Sequence, residues 1–186
     1  MPTRSEIEQT NRAMRQRWRD FRTAAECVAA ELAALPAVRK VALIGSVAQP
    51  LEKEVPRFRA FRRAGIAVYH ECKDVDLAVW LHGFENLPRL QYARLGGLRR
   101  AEREHGITFA HHQVELFLLD AEDDSHRGRL CNYRECPAHK EDCLAPGCGE
   151  IPWLRQLDGF KWNPASLAPD RCTVLYTAES NSESEA

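Results

Sequence analysis

Apolar residues recur at helical spacing through the first part of the chain, between a capping motif and a proline. Ser5 and Glu8 have the spacing of a capping box, and Pro36 cannot continue a helix. The pattern predicts one long amphipathic helix that ends before the proline. Its apolar positions, three, four or seven residues apart, are Ile7, Met14, Trp18, Phe21, Ala25, Val28, Leu32 and Leu35.

Later apolar runs are mostly shorter and predict strands. These strand regions are residues 38–44, 65–70, 74–81, 107–119 and 173–176, the last as an edge strand. Consecutive apolar residues from Val41 to Ile44 favour burial on both faces. Residues 87–101 have helical spacing and lead to His105-Gly106, which predicts a helix and its end, while Gly96-Gly97 weakens that helix or lets it pack closely. The order of elements predicts an α+β fold, a mixed sheet flanked by helices.

Composition narrows the class of protein. The chain has 186 residues, 44% of them hydrophobic, and a formal net charge of -1, which is typical of a globular protein with one main domain. Residues 1–70 carry 13 Lys and Arg against 7 Asp and Glu, so a polyanionic substrate could use this basic part. The sequence has neither an 18-residue apolar span nor a signal-peptide core, and we expect a cytoplasmic protein without membrane contact.

Two motifs predict a phosphate-and-metal site. Gly45-Ser46 follows an apolar strand, and such a turn can hold phosphate oxygens with backbone N–H groups and a hydroxyl. Asp74 and Asp76 open the next long strand, where alternation places both carboxylates on one face. Adjacent carboxylates repel each other, and a hard cation such as Mg²⁺ relieves that repulsion. Each motif is weak alone, and their order along the chain strengthens the prediction.

This order of motifs resembles the DNA polymerase beta-like nucleotidyltransferase superfamily, especially its small bacterial members. The resemblance covers residues 38–120, and it implies a third carboxylate on a later strand, for which Glu115 in Gln113–Leu119 is the candidate. Alternation places Glu115 on the same face as Phe117 and Leu119, where a bound cation would offset the cost of a carboxylate.

The resemblance implies a mechanism as well as a fold. Asp74, Asp76 and Glu115 would bind two Mg²⁺ ions, and Gly45 and Ser46 would hold the triphosphate of a nucleotide such as ATP. A nucleoside monophosphate would pass to an acceptor hydroxyl of a protein, an RNA or a small molecule. A partner protein could supply the acceptor-binding surface.

A 27-residue segment, 47–73, separates the two motifs. Its cluster of Arg57, Arg59, Arg62 and Arg63 alternates with Phe58 and Phe61. Such a cluster suits a lid that grips triphosphate, or equally an amphipathic turn that docks its aromatic rings and leaves its arginines in water.

Four of the seven cysteines fall within 18 residues near the C-terminal end of the chain. Cys131, Cys136, Cys143 and Cys148, with prolines and glycines between them, could close a tetrahedral, structural Zn²⁺ site. The spacing is wider than the usual ligand pairs, and His139 could replace one thiolate. Disulfides or free buried cysteines are the alternative.

The polar break at residues 122–124 predicts a boundary between two modules. We expect a nucleotidyltransferase-like core with its N-terminal helix at 1–124, a Cys-rich module packed on it at 125–178, and a disordered tail at 179–186. The leading functional prediction is a nucleotidyltransferase. A catalytically inactive nucleotide-binding or regulatory module, stabilised by zinc, is the alternative, and a nucleic-acid-binding zinc protein is the third candidate.

Overall fold

The sheet at the centre of the protein is mixed and has six strands, in the order β5-β4-β3-β2-β1-β6. The computed structural model describes residues 3–52, 58–133, 136, 143 and 145–178. β2 and β3 run parallel, and every other neighbouring pair is antiparallel. The strands are β1 Val38–Ile44, β2 Val75–Leu81, β3 Val114–Asp120, β4 His126–Leu130, β5 Leu154–Arg155 and β6 Thr173–Thr177.

Two long helices cover one face of the sheet. α1 spans Arg4–Ala33 and α4 spans Leu87–His105, and together with alternate residues of β1, β2 and β3 they form the larger hydrophobic core. Gly97 sets their separation, because a Cβ at this position would lie 2.4 Å from the Cα of Val28. Gly106 ends α4 in the left-handed conformation. Of the two effects expected of the glycine pair, close packing is the one that Gly97 shows.

The opposite face of the sheet carries a smaller core that the C-terminal part of the chain covers. Its buried members are Ala42, Ile44, Ala78, Trp80, Phe117 and Leu119. Trp162, Leu167 and Cys172 pack against them from the segment before β6. β1 is thus buried on both faces, as its apolar run predicts, because its alternate residues belong to the two different cores.

Two short helices lie between β1 and β2. α2, Gly45–Ala48, follows β1 directly, and α3 spans Arg59–Arg63. The strand predicted at residues 65–70 does not form. Instead of a neighbouring strand, the side chain of Asn11 in α1 binds the backbone of this segment. It donates to the Ala67 carbonyl at 2.6 Å and accepts from the Tyr69 N–H at 3.1 Å.

The other predicted elements need small corrections. The capping box of α1 is formed by Thr3 and Glu6 rather than by Ser5 and Glu8. A 3-10 turn at His111–Gln113 delays β3, so the third strand is shorter than predicted.

Residues after the predicted boundary at 124 supply three strands of the same sheet. β4 pairs with β3, β5 pairs with β4, and β6 pairs with β1 at the far edge, which confirms the edge strand. The tail at 179–186 lies outside the described residues. Among the described helices, none has the length and apolar character needed to cross a membrane.

Candidate functional site

The turn after β1 lies directly against a carboxylate of β2. Ile44, the last residue of β1, is the register partner of Asp76. Gly45 follows with a φ of 72°, a conformation that glycine adopts without strain. A Cβ at Gly45 would lie only 2.3 Å from the Oδ2 atom of Asp76, so the backbone of this turn and the carboxylate are in close contact. Ser46 is the next residue and is half-buried.

Asp76 and Glu115 are direct neighbours across the parallel pair β2 and β3. Alternation along the strands places them on the face of Ala78 and Phe117, opposite the helices. Asp74 lies just before β2 and is exposed. The structure therefore brings together Gly45, Asp76 and Glu115, whereas Asp74, two residues before Asp76, is open to solvent.

The pKa of Asp76 reflects this crowding. Burial first, and then repulsion by Glu115, raise the pKa of Asp76 from 3.8 to about 6, with a smaller upward effect of Asp74. Arg129 acts in the opposite direction. An extra positive charge at this place would stabilise the ionised form of Asp76 further.

Arg129 on β4 completes the described site, and it was not predicted from the sequence. Its Nη1 donates to the Oε2 of Glu115. The guanidinium carbon also lies 4.3 Å from the ring centroids of Phe117 and of Phe160, so two aromatic rings hold the cation against the carboxylate. In the sequence, the two arginines within His126–Leu130 were the feature that could have indicated a cation near the carboxylates.

Aromatic rings cover the sheet beside this ion pair. His126 stacks on Trp162 with ring centroids 4.9 Å apart and an interplanar angle of 6°. Phe117 lies 5.6 Å from Trp162 and 6.0 Å from Phe160. The segment that carries Phe160 and Trp162 therefore borders the carboxylates as well as closing the smaller core.

The donor chemistry of the carboxylates fits Mg²⁺, because carboxylate oxygens are the ligands that hard cations prefer. The crowding of Asp76 and Glu115 is the structural observation that supports this fit. Among the described residues, however, no three His, Cys, Asp or Glu side chains form a group that could hold a metal ion as they stand. A metal site would form here only if the side chains of Asp74, Asp76 and Glu115 moved closer together.

The structure of the basic segment between the motifs is compatible with both interpretations, a lid and an amphipathic turn. In α3, Arg59 is exposed, whereas Phe61 and Arg62 are half-buried, as is Phe58 before the helix. Arg57 lies outside the described residues.

The predicted zinc ligands are four cysteines in the segment between β4 and β5, up to Cys148. Cys131 is buried, and Cys136, Cys143 and Cys148 are half-buried. No disulfide joins the cysteines, all of which belong to the described part of the chain. His139, the alternative ligand, lies outside it.

Comparisons with known proteins add little to this geometry. No family model matches the chain, and no curated protein sequence matches it. Among solved structures, the chain is similar to the "putative nucleotidyltransferase" from Sulfolobus solfataricus, with 17% identity over 60% of this chain and 81% of that one. The TM-score is 0.27, which is too low to define either the fold or the function.

Proposed function

We propose that the protein is a Mg²⁺-dependent nucleotidyltransferase. The observation that carries the proposal is the pairing of Asp76 with Glu115 across adjacent strands, with the Gly45 turn packed against the same carboxylate. The resemblance of the motif order to the DNA polymerase beta-like superfamily supports the same reading. Both carboxylates lie on the sheet face that the long helices leave free, and Gly45 packs against Asp76.

The site residues divide into two groups in this proposal, one for the metal ions and one for the triphosphate. Asp74, Asp76 and Glu115 would hold two Mg²⁺ ions, while Gly45 and Ser46 would hold the triphosphate. The bond that forms joins the acceptor oxygen to the alpha-phosphorus, the bond that breaks joins this phosphorus to the oxygen bridging to the beta-phosphate, and pyrophosphate leaves. Ions held there would neutralise charge and would lower the pKa of the acceptor hydroxyl, whose proton would pass to solvent water. The acceptor is a protein, an RNA or a small molecule.

One observation favours a second candidate, a nucleotide-binding or regulatory module without transfer activity. Glu115 is already neutralised by Arg129, and the two flanking rings fix this arginine in place. If the guanidinium permanently substitutes for a metal ion, nucleotide binding could persist without two-metal chemistry. The two candidates differ in whether Mg²⁺ strengthens nucleotide binding.

The experiment is a titration of a fluorescent nucleoside triphosphate with and without Mg²⁺. It compares the wild type, the double variant Asp74→Asn with Asp76→Asn, and a control that also removes two carboxylates, Glu102→Gln with Glu122→Gln, both at exposed positions. An enzyme binds nucleotide more tightly with Mg²⁺, and only the double variant loses this effect. Nucleotide binding that is the same with and without Mg²⁺ would support the regulatory module, and absence of binding would contradict both candidates.

A further inference from the structure

The four cysteines between β4 and β5 lie outside the proposed catalytic site, and backbone hydrogen bonds join two of them. The N–H of Cys131 donates to the Trp153 carbonyl at 2.9 Å. The N–H of Trp153 donates in turn to the Sγ of Cys136 at 3.0 Å. Trp153 adopts a φ of 71°, which is unusual for a bulky residue. One strained residue, Trp153, thus connects two cysteines through its N–H and its carbonyl.

A tight turn brings Cys148 to the same place. Gly147 and Gly149 on either side of it have φ angles of 79° and 86°, so the chain reverses around this cysteine. The N–H of Gly149 donates to the carbonyl of Leu154 in β5 at 3.4 Å. The Cys131 thiol also interacts electrostatically with the thiols of Cys136, Cys143 and Cys148. Hydrogen bonds and the turn therefore place Cys131, Cys136 and Cys148 around the start of β5, and Cys143 is near enough to act electrostatically on Cys131.

A buried cation lies near these thiols, and Glu115, which acts on it electrostatically, is itself paired with Arg129. Arg94 in α4 is 1% exposed, and it donates to three neutral acceptors, the Val114 carbonyl and the side chains of Asn132 and Gln91. Its Nε atom is buried and has no hydrogen-bond partner. Burial lowers the pKa of Arg94 to about 10, which leaves it charged at neutral pH. An uncompensated buried charge is costly.

Arg155 in β5 provides a second positive charge near the same thiols. Its Nε is likewise buried and has no hydrogen-bond partner. Both arginines interact electrostatically with Cys131. Neutral thiols or disulfides would add no negative charge beside these two guanidinium groups. Four thiolates on a divalent ion would carry a net charge of minus two, which matches them.

We propose that Cys131, Cys136, Cys143 and Cys148 bind one Zn²⁺ ion as four thiolates, with Arg94 and Arg155 balancing the charge of the site. The described side chains do not yet form a three-ligand group. We therefore expect the ion to draw the sulfurs together and to supply folding free energy for this segment. The proposal does not depend on the nucleotidyltransferase activity.

Metal content and thiol number of the purified full-length protein test the site. We expect one zinc per chain by elemental analysis, retained on dialysis and released by a thiol-modifying mercurial. After chelation, Co²⁺ should restore the visible absorption of a tetrahedral thiolate complex. In denaturant with chelator and without reductant, all seven cysteines should react as free thiols. Fewer than seven thiols, or a metal-free protein that gives no Co²⁺ spectrum, would overturn the proposal.

Variants locate the ion. Cys136→Ser should lose the zinc, whereas Cys172→Ser, which changes a half-buried cysteine outside the group, should keep it. If Cys136→Ser does not fold, the Co²⁺ spectrum of the chelated wild type decides the question. Equal zinc content in two folded variants would refute the assignment of the ligands.

The charge-balance argument has its own test. Arg155→Met should weaken Zn²⁺ binding about tenfold in competition with a chromophoric chelator, the size typical of residues that support metal ligands. Arg127→Met, which removes an exposed arginine from β4, should leave Zn²⁺ affinity unchanged. Equal affinities in the two variants would contradict the role of Arg155.

Discussion

The raised pKa of Asp76 predicts that its carboxylate destabilises the fold at neutral pH. Burial and Glu115 raise this pKa from 3.8 to about 6, so the folded state holds the proton more tightly than the unfolded chain does. The contribution of the protonated group to stability is complete below pH 4 and is lost as the pH rises through 6. Asn is uncharged and has the same shape, so Asp76→Asn should stabilise the metal-free protein at pH 7.

The size of this gain follows from the shift. Two pKa units correspond to about 3 kcal/mol, at roughly 1.4 kcal/mol per unit. Asp76 is only partly buried, and solvent screening reduces this figure to about 1–2 kcal/mol. For a protein of this length the melting temperature should rise by about 2–8 °C. Near pH 4 the difference between variant and wild type should disappear.

Urea denaturation at a series of pH values from 4 to 8, in the presence of a Mg²⁺ chelator, measures the effect. Asp74→Asn is the matched control, since Asp74 is exposed and its substitution should change the free energy of unfolding little. A wild type that is as stable as Asp76→Asn at pH 7, or a difference that does not vary with pH, would refute the electrostatic reasoning.

Three further predictions concern the elements around the site. Gly97→Ala should lower the free energy of unfolding by about 1–3 kcal/mol, because its methyl group would overlap the backbone of α1. Gly96→Ala, whose methyl group would meet only a glutamate side chain at 3.4 Å, should be neutral or stabilising. Equal effects of the two substitutions in a denaturation assay would contradict this packing. Asn11→Ala should cost about 1–3 kcal/mol and speed amide hydrogen exchange in the segment before β2, because two backbone groups lose their partner; unchanged exchange there would contradict its anchoring role. Arg129→Gln should raise the pKa of Asp76 further, which carboxyl NMR titration can follow, and an unchanged or lower value would show that Arg129 does not act on this carboxylate.

Local patterns in the sequence were sufficient for the two long helices and for β1, β2, β3 and β6, but not for β4 and β5. The apolar run of β1 and the helical spacing of α4 predict elements that the structure contains, because β1 is buried on both faces of the sheet and α4 packs one side against the larger core. Residues 65–70 show the limit of this reasoning. Their apolar residues suit a strand, but the side chain of Asn11, more than 50 positions earlier, satisfies the backbone instead.

The candidate site was predictable as a set of residue types and not as an arrangement. Strand alternation indicates which face Glu115 occupies, yet its pairing with Asp76 depends on the register of two strands whose paired residues are 39 positions apart. Arg129 was missed because nothing in its own strand shows that β4 pairs with β3. Contacts of this kind arise only when the sheet is assembled.

The central claim is that the carboxylates support nucleotide transfer, and alpha-labelled nucleotide is its most direct test. Each of the four nucleoside triphosphates is incubated with Mg²⁺ and the wild type, or with the variant carrying Asp74→Ala and Asp76→Ala, in the presence of cell lysate. We predict label on the protein itself or on a lysate component with the wild type, and none with the variant. Transfer that persists in the double variant would contradict the assigned carboxylates, and absence of both transfer and Mg²⁺-dependent nucleotide binding in the wild type would contradict a nucleotidyltransferase.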